Sequence, residues 1–176
     1  MDEHYREAIT AMEETAALQH ILAIGEAGLD KLRGPALNLQ IAAYKAQALM
    51  ADKFGKPLII HCVRCYNEVI ESHKKLDPSA KWIIHNFTGS RELAESLIRR
   101  GISLSFGLSL MKNHAKTIEA LAAVPLECIF FETDDDPGLR IETVYAKAAA
   151  VRNMDVESLR KAVRDNFEKY FKLTID

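Results

Sequence analysis

Four residues able to do chemistry recur at matching places: Glu26, His61, His85 and Asp134 each follow a short apolar run. The runs are Ile21-Leu22-Ala23-Ile24-Gly25 before Glu26, Pro57-Leu58-Ile59-Ile60 before His61, and Trp82-Ile83-Ile84 before His85. The fourth, Cys128-Ile129-Phe130-Phe131, leads into Glu132-Thr133-Asp134. Imidazole and carboxylate together suit Zn, Mn or Fe, and a carboxylate-rich set also takes Mg. A cation held by such groups lowers the pKa of a bound water to about 7 and polarises a phosphoryl oxygen. Singly, each residue has a plainer explanation. A strand-end His is more often hydrogen-bonded locally than bound to metal, and an Asp at the place of Asp134 often caps the next helix. Four at matching positions are hard to attribute to chance, and they predict a shared metal or acid–base site.

The elements that must position them follow from periodicity. Tyr5, Ile9, Met12 and Ala16 share one face of a 3.6-residue period, so a helix precedes the first strand. Leu37, Ile41, Tyr44, Ala48 and Ala51 make the stripe of a helix over 36–54, stopped by Gly55 and Pro57. Further helices are predicted over 66–75, ended by Asp77-Pro78, over 91–100, ended by Gly101, and over 114–123. Two more close the chain, over 141–151 and then one capped by Asp155 with Val156, Leu159, Val163, Phe167 and Phe171 inward. The five apolar runs, with an alternating Ile102-Ser103-Leu104-Ser105-Phe106 as the fourth, start at residues 21, 57, 82, 102 and 128. That spacing is close to the ~30 residues of a βαβ unit. Nearly continuous apolar strands are buried on both faces, which marks a parallel sheet in an α/β fold. In such folds the carboxyl ends of the strands gather on one face, and sites are built there.

Length and composition bound the function. The 176 residues are 48% apolar and 27% charged, enough for a real core, and no linker or compositional break divides 1–176. The net charge of −2 argues against a non-specific nucleic-acid binder, although not against an enzyme that holds phosphates through metal ions. No apolar run approaches the ~20 residues of a membrane span, and Met1-Asp2-Glu3-His4 opens no signal peptide. Three cysteines fit a reduced cytoplasm better than a disulfide scaffold. The chain is also short of an eight-unit (β/α) barrel, which takes at least roughly 200 residues.

Five motifs then resemble, in order, those of the TatD-family metal-dependent hydrolases. Gly25-Glu26-Ala27-Gly28-Leu29-Asp30 is similar to GE-x-GLD, Ile60-His61-Cys62 to the second motif, and His85-Asn86-Phe87-Thr88-Gly89 to H-x-F-T/S-G. Glu132-Thr133-Asp134 matches ETD, and Asn166-Phe167 matches the Asn that opens the last helix segment. The resemblance implies a TIM-type barrel, here incomplete, with about five parallel strands and flanking helices. It implies hydrolysis of phosphodiester bonds, usually in DNA, with one or two divalent ions (Mg, Mn or Zn). Glu26 would then bridge two metals, His61 and His85 would hold the second, and Asp134 would ligate the first and orient the attacking water. Asp30 lines the substrate pocket or serves a turn. Arg64 contacts a phosphate or is a solvated helix-start residue, since Val63 stands where the family often has Arg. Asp135 and Asp136 read as solvated loop charges.

The sequence departs from the family in one respect. Members open with a strand bearing His-x-His and then a second strand, whereas the six histidines here, His4, His20, His61, His73, His85 and His114, form no such pair. About two βα units are therefore expected to be missing at the N-terminus, through a downstream start, a fragment or a degenerate paralogue. The first metal position would lose two imidazoles, leaving at most one ion well bound. The strand at 21–25 would carry an unpaired edge, a route to homo-oligomers. Two rival readings follow: a non-catalytic paralogue that keeps the fold and at most one metal, and a thiol redox protein. The second rests on Cys62-Val63-Arg64-Cys65, where a helix N-terminus and Arg64 would lower a thiol pKa. Cys128, expected inside a strand, offers that pair no further ligand. Gly107-Leu108-Ser109-Leu110-Met111 lacks the second Gly of a nucleophile elbow, and no P-loop occurs.

Overall fold

The computed structural model describes residues 5–175, with residues 1–4, and with them the start read as no signal peptide, outside the described part. The chain divides into two compact units, 1–83 and 84–176. The division falls inside the third of five strands, and the neighbours in the sheet follow chain order.

The first unit opens with α1 (Tyr5–Ala16), whose Ile9 and Met12 are half-buried and whose Ala16 is buried. Strand β1 (Ile24–Asp30) follows, then α2 (Leu37–Phe54), β2 (Leu58–Val63), α3 (Tyr66–Leu76) and β3 (Trp82–Ile84). Gly55 ends α2 at φ 62°, the left-handed conformation glycine adopts without a Cβ penalty. The buried face of α2, including Ala43, Tyr44, Ala48 and Ala51, covers Leu29, Leu58, Ile60 and Trp82. Tyr44 meets Trp82 edge to face at 5.7 Å between ring centroids. β1 and β2 pair in parallel, and Leu58 N–H donates to the Lys81 carbonyl at 2.8 Å ahead of β3.

The β1 boundary differs from the sequence expectation. The strand begins at Ile24 and runs through Glu26 to Asp30. Ala27 and Leu29 are 1% and 0% exposed, so the glycines on either side do not stop the strand. Pairing shifts from Ile24↔Leu58 to Ala27↔Ile60, three residues against two, so Gly25 and Glu26 lie in a bulge. Ala27, Leu29 and Asp30 then continue beside Ile60, Cys62 and Val63.

The second unit contains α4 (Arg91–Ile98), β4 (Ile102–Phe106), a single turn α5 (Leu108–Met111) and α6 (Ala115–Ala123). A 3-10 turn at Leu126–Cys128 leads into β5 (Ile129–Phe131), α7 (Ile141–Arg152) and α8 (Val156–Phe171). Ser90 caps α4 through the Leu93 amide, and Asp155 caps α8 through the Ser158 amide at 2.8 Å. Despite its alternating sequence, β4 is buried on both faces, and the Ser103 hydroxyl meets the Tyr170 hydroxyl at 2.7 Å. β5 pairs in parallel with β4, Leu104↔Ile129 through Phe106↔Phe131. Cys128 belongs to the 3-10 turn, one residue before the strand in which it was expected.

Candidate metal centre

In the first unit Glu26 and His61 stand on adjacent strands, inside β1 and β2 rather than beyond their ends. The bulge places Glu26 on the exposed side between two buried neighbours, Ile24 and Ala27. Gly28 faces His61 in the register, and a Cβ there would lie 1.9 Å from the His61 carbonyl oxygen. Only glycine permits this approach of the two backbones. The His61 Nε2 lies 3.5 Å from Asp30 Oδ2, with the His61 side chain 39% exposed.

Asp30 holds the turn after β1 as well. Its Oδ1 accepts from the amides of Leu32 at 2.6 Å and Arg33 at 3.0 Å. Burial pushes its carboxyl upward, but those amides and His61 outweigh that effect and hold it below the ordinary carboxylate range. Buried Gln40 fastens the same turn. It accepts from the Asp30 amide at 2.7 Å and donates to the carbonyls of Asp30, Arg33 and Pro35. Arg64 follows β2 in the left-handed conformation, φ 56°, exposed and without a hydrogen bond or ion pair among the described residues.

The second unit brings His85 and Asp134 together and adds Glu132. Donor atoms of these three side chains lie within 4.8 Å of one another, close enough to converge on one ion. The helix-cap explanation of Asp134 does not hold, because α7 begins only at Ile141. His85 Nδ1 is 3.3 Å from Glu132 Oε1, and Asn86 Nδ2 donates to Asp134 Oδ2 at 3.4 Å. With its proton on Nδ1 facing a carboxylate, an imidazole presents the Nε2 lone pair that a metal takes. The Asn86 Oδ1 is enclosed and has no hydrogen-bond partner. One imidazole and two carboxylates are a donor set that fits a divalent cation.

The scaffold behind this cluster is specific. Phe87, fully buried, donates its amide to the Ser105 carbonyl at 2.9 Å, and its own carbonyl accepts from Ser109 Oγ at 3.1 Å. Gly107 leaves room for Glu132, for a Cβ there would sit 2.8 Å from the Glu132 carbonyl oxygen and 2.9 Å from its Cγ. Buried Asn166 donates to the carbonyls of Leu126 at 2.6 Å and Ile129 at 3.0 Å, fixing the start of the strand that carries Glu132. Sequence reading holds Glu132 and Asn86 within motifs without giving them a role, and names Gly107 and Ser109 only in ruling out a nucleophile elbow. In the loop beyond, Asp135 is exposed and Asp136 Oδ1 accepts from the Gly138 amide at 2.9 Å.

The C-x-x-C pair does not have the environment of a redox couple. Cys62, Cys65 and Cys128 form no disulfide among the described residues. Burial pushes Cys62 up to about 12 and raises Cys65 as well, opposite to the lowering expected from the helix start and Arg64. The nearby charges that act on both are Glu68, which raises them, and Lys31, which opposes it.

Comparison with known proteins gives a consistent answer. A family model described as TatD related DNase matches residues 1–172. The human 3'-5' RNA nuclease TATDN2 is 30% identical over 182 residues, covering 89% of this chain but 24% of the human protein. The Bacillus subtilis metal-dependent hydrolase YabD is 28% identical, covering 95% of this chain and 71% of its own length. The Escherichia coli metal-dependent hydrolase YjjV is 28% identical over 116 residues, which cover 65% of this chain and 45% of its own length. In fold, the crystal structure of the Escherichia coli TatD homologue YjjV superposes with a TM-score of 0.85 at 23% identity, over 96% of this chain and 71% of that one. A TatD family hydrolase from Entamoeba histolytica gives 0.82 at 17% identity, over 98% and 70%. The architecture is accordingly that of the TatD fold, five parallel strands with flanking helices in a TIM-type α/β arrangement.

Proposed function

Because the chain belongs to the TatD-related DNase family, we propose that it is a metal-dependent hydrolase that cleaves phosphodiester bonds. The observation that carries this reading is the convergence of His85, Glu132 and Asp134, two of them in family motifs as predicted site residues. Glu26, His61 and His85 would hold one cation, and Glu26 with Asp134 would serve the second position. A bound divalent ion supplies a water acidic enough to attack at neutral pH and neutralises charge on the phosphoryl oxygens. Asp134 orients the attacking water through its carboxylate and accepts its proton. Glu132 holds the His85 ring in its ligating tautomer. Asp30 and Arg64 belong to the substrate side, Asp30 by fixing the turn beside His61 and Arg64 by offering an exposed guanidinium to phosphate.

DNA is the expected substrate, and the RNA nuclease among the relatives makes RNA the comparison to run beside it. Among the described residues no helix is long and apolar enough to cross a membrane, and a cytoplasmic setting agrees with three cysteines outside any disulfide. Among the described residues β1 has β2 as its neighbour in the sheet order, and self-association through the β1 edge is part of the proposal. Residues 1–176 are read as one catalytic domain of partial-barrel type.

The test incubates the purified chain with Mn, Mg or Zn and labelled single-stranded DNA, duplex DNA or RNA. Cleavage should require metal, stop on chelation, and fall roughly 100-fold or more in Asp134→Ala and His85→Ala. Tight metal binding without cleavage of any substrate would favour the non-catalytic reading. A clean monomer by light scattering would remove the self-association.

A further inference from the structure

The turn after β1 presents side chains that the fold itself does not use, on a backbone that is firmly held. Asp30 Oδ1 accepts from the Leu32 and Arg33 amides at 2.6 and 3.0 Å. Buried Gln40 donates to the carbonyls of Asp30, Arg33 and Pro35 at 2.9, 3.2 and 2.8 Å, and the Lys31 amide donates to the Val63 carbonyl at 3.1 Å. The Lys31 ammonium is taken by Glu68. At the tip stand Leu32, 60% exposed, and exposed Arg33, whose guanidinium has no hydrogen bond or ion pair among the described residues. Arg91, Arg160 and Arg164, in contrast, each meet a glutamate three or four residues away on their own helix. Both tip side chains line a cavity of about 330 Å³, bounded also by Pro35, Leu37 and Gln40. Asp30 joins this cavity to His61. One of its oxygens holds the Leu32 and Arg33 amides, and the other lies 3.5 Å from His61 Nε2.

We propose that Leu32 and Arg33 form a nucleotide subsite beside His61, Arg33 holding a phosphate and Leu32 packing against the base next to it. This subsite rests on the phosphodiester reading above and adds a place for the part of the substrate that does not react. A guanidinium offers a phosphate two parallel N–H donors, and one without a carboxylate partner gives up no ion pair to do so. An apolar side chain beside it supplies a contact that the face of any base accepts. The turn is fixed by its own hydrogen bonds before anything binds, so binding spends little on ordering a loop. A cavity of about 330 Å³ lies at the small end of the range for ligand sites, so it takes one nucleotide unit rather than a length of strand. Every residue of the subsite belongs to the first unit.

Fluorescence anisotropy of a short labelled DNA strand, with calcium in place of Mn to hold off turnover, tests this across a series of salt concentrations. Arg33→Gln should weaken binding about fivefold and flatten the plot of log Kd against log salt by roughly 0.7, the loss of one phosphate contact. Arg33→Lys keeps the charge and should restore that slope. Leu32→Ala should weaken binding about threefold with the slope unaltered, because it removes a base contact and no charge. Each variant keeps its main-chain amide on Asp30, so Mn affinity measured by calorimetry should not change. Unaltered DNA affinity in Arg33→Gln and Leu32→Ala overturns the subsite. So does weaker binding by Arg33→Gln at an unchanged slope, or a loss of Mn affinity that parallels the loss of DNA. A natural chain that cleaves bis(4-nitrophenyl) phosphate with Mn but binds no DNA overturns the subsite and leaves the hydrolase reading standing. A natural chain that does neither removes both.

Discussion

The two units each set a histidine beside a carboxylate, yet they finish the arrangement differently. In the first, Asp30 accepts from two backbone amides and lies beside His61, while Gln40 ties the same turn through four hydrogen bonds. In the second, Glu132 meets His85 and Asn86 meets Asp134, but an amide oxygen is left enclosed without a donor and Asp134 is exposed. In the first cluster the Asp30 carboxylate is occupied in holding a turn. The other keeps polar capacity in reserve, which is how a fold leaves room for a ligand it does not itself supply.

The largest expected effect is at the closest backbone approach of each unit. Gly28→Ala drives a Cβ against the His61 carbonyl, where neither strand has a flexible end to yield. It should cost about 3 kcal/mol or more, or prevent folding. Gly107→Ala presses on the Glu132 backbone and Cγ at 2.8 and 2.9 Å, a milder overlap expected to cost about 1–2 kcal/mol. Because Glu132 orients His85 in the proposed site, Gly107→Ala should also weaken metal binding. Urea unfolding and metal titration of both variants would measure the contrast. Equal destabilisation, or unaltered metal affinity in Gly107→Ala, would break it.

How far the sequence disclosed this arrangement depends on the range of the interactions. β3 and β4 are legible to the residue, because Trp82-Ile83-Ile84 and the 102–106 run are bounded by polar or glycine neighbours. The caps at Ser90 and Asp155 are local chemistry, and the Asp155 cap is read correctly. β1 is misplaced because glycines read as punctuation. Gly28 is there instead for contact with His61, a strand away. α5 is a single turn, too short for a periodic stripe, although its Ser109 anchors the Phe87 carbonyl. Glu132 and Asn86 take their meaning from partners 47 and 48 residues distant, a pairing that no local pattern encodes.

A middle-sized effect separates structural carboxylates from those kept for a ligand. In the first unit Asp52 Oδ1 accepts from the Ser79 amide, the Ser79 hydroxyl and the Ala80 amide at 2.7, 2.9 and 2.9 Å. The Ala80 amide foremost, then Ser79, holds its carboxyl below the ordinary 3.8 in spite of partial burial. A carboxyl lowered in the folded state contributes stability that is complete above its unfolded value and is lost as pH falls through the folded one. Asp52→Ala should therefore destabilise the chain by about 1–2 kcal/mol at neutral pH. The difference should stay level from about pH 5 to 8 and narrow below about pH 4. Melting at pH 7 and pH 3 checks it, and a gap that stays constant in acid would remove the charge from the explanation.

The smallest effect concerns the cysteines, where the structure reverses a local expectation. A C-x-x-C at the start of a helix ordinarily gains a reactive thiolate from the helix dipole and a basic neighbour. Here burial dominates. Cys62 is raised to about 12, Cys65 is also raised, and Glu68 adds to both shifts. Both thiols should thus stay protonated at pH 8 and react with iodoacetamide far more slowly than in urea-unfolded chain. Peptide mapping after brief labelling would report each position separately, and thiol titration with and without reductant should count the same three free cysteines. Rapid labelling of Cys62 in the folded chain, or a reductant-sensitive count, would restore a redox role to the first unit. Slow labelling leaves that unit without a reactive thiol and keeps the chemistry with its imidazoles and carboxylates.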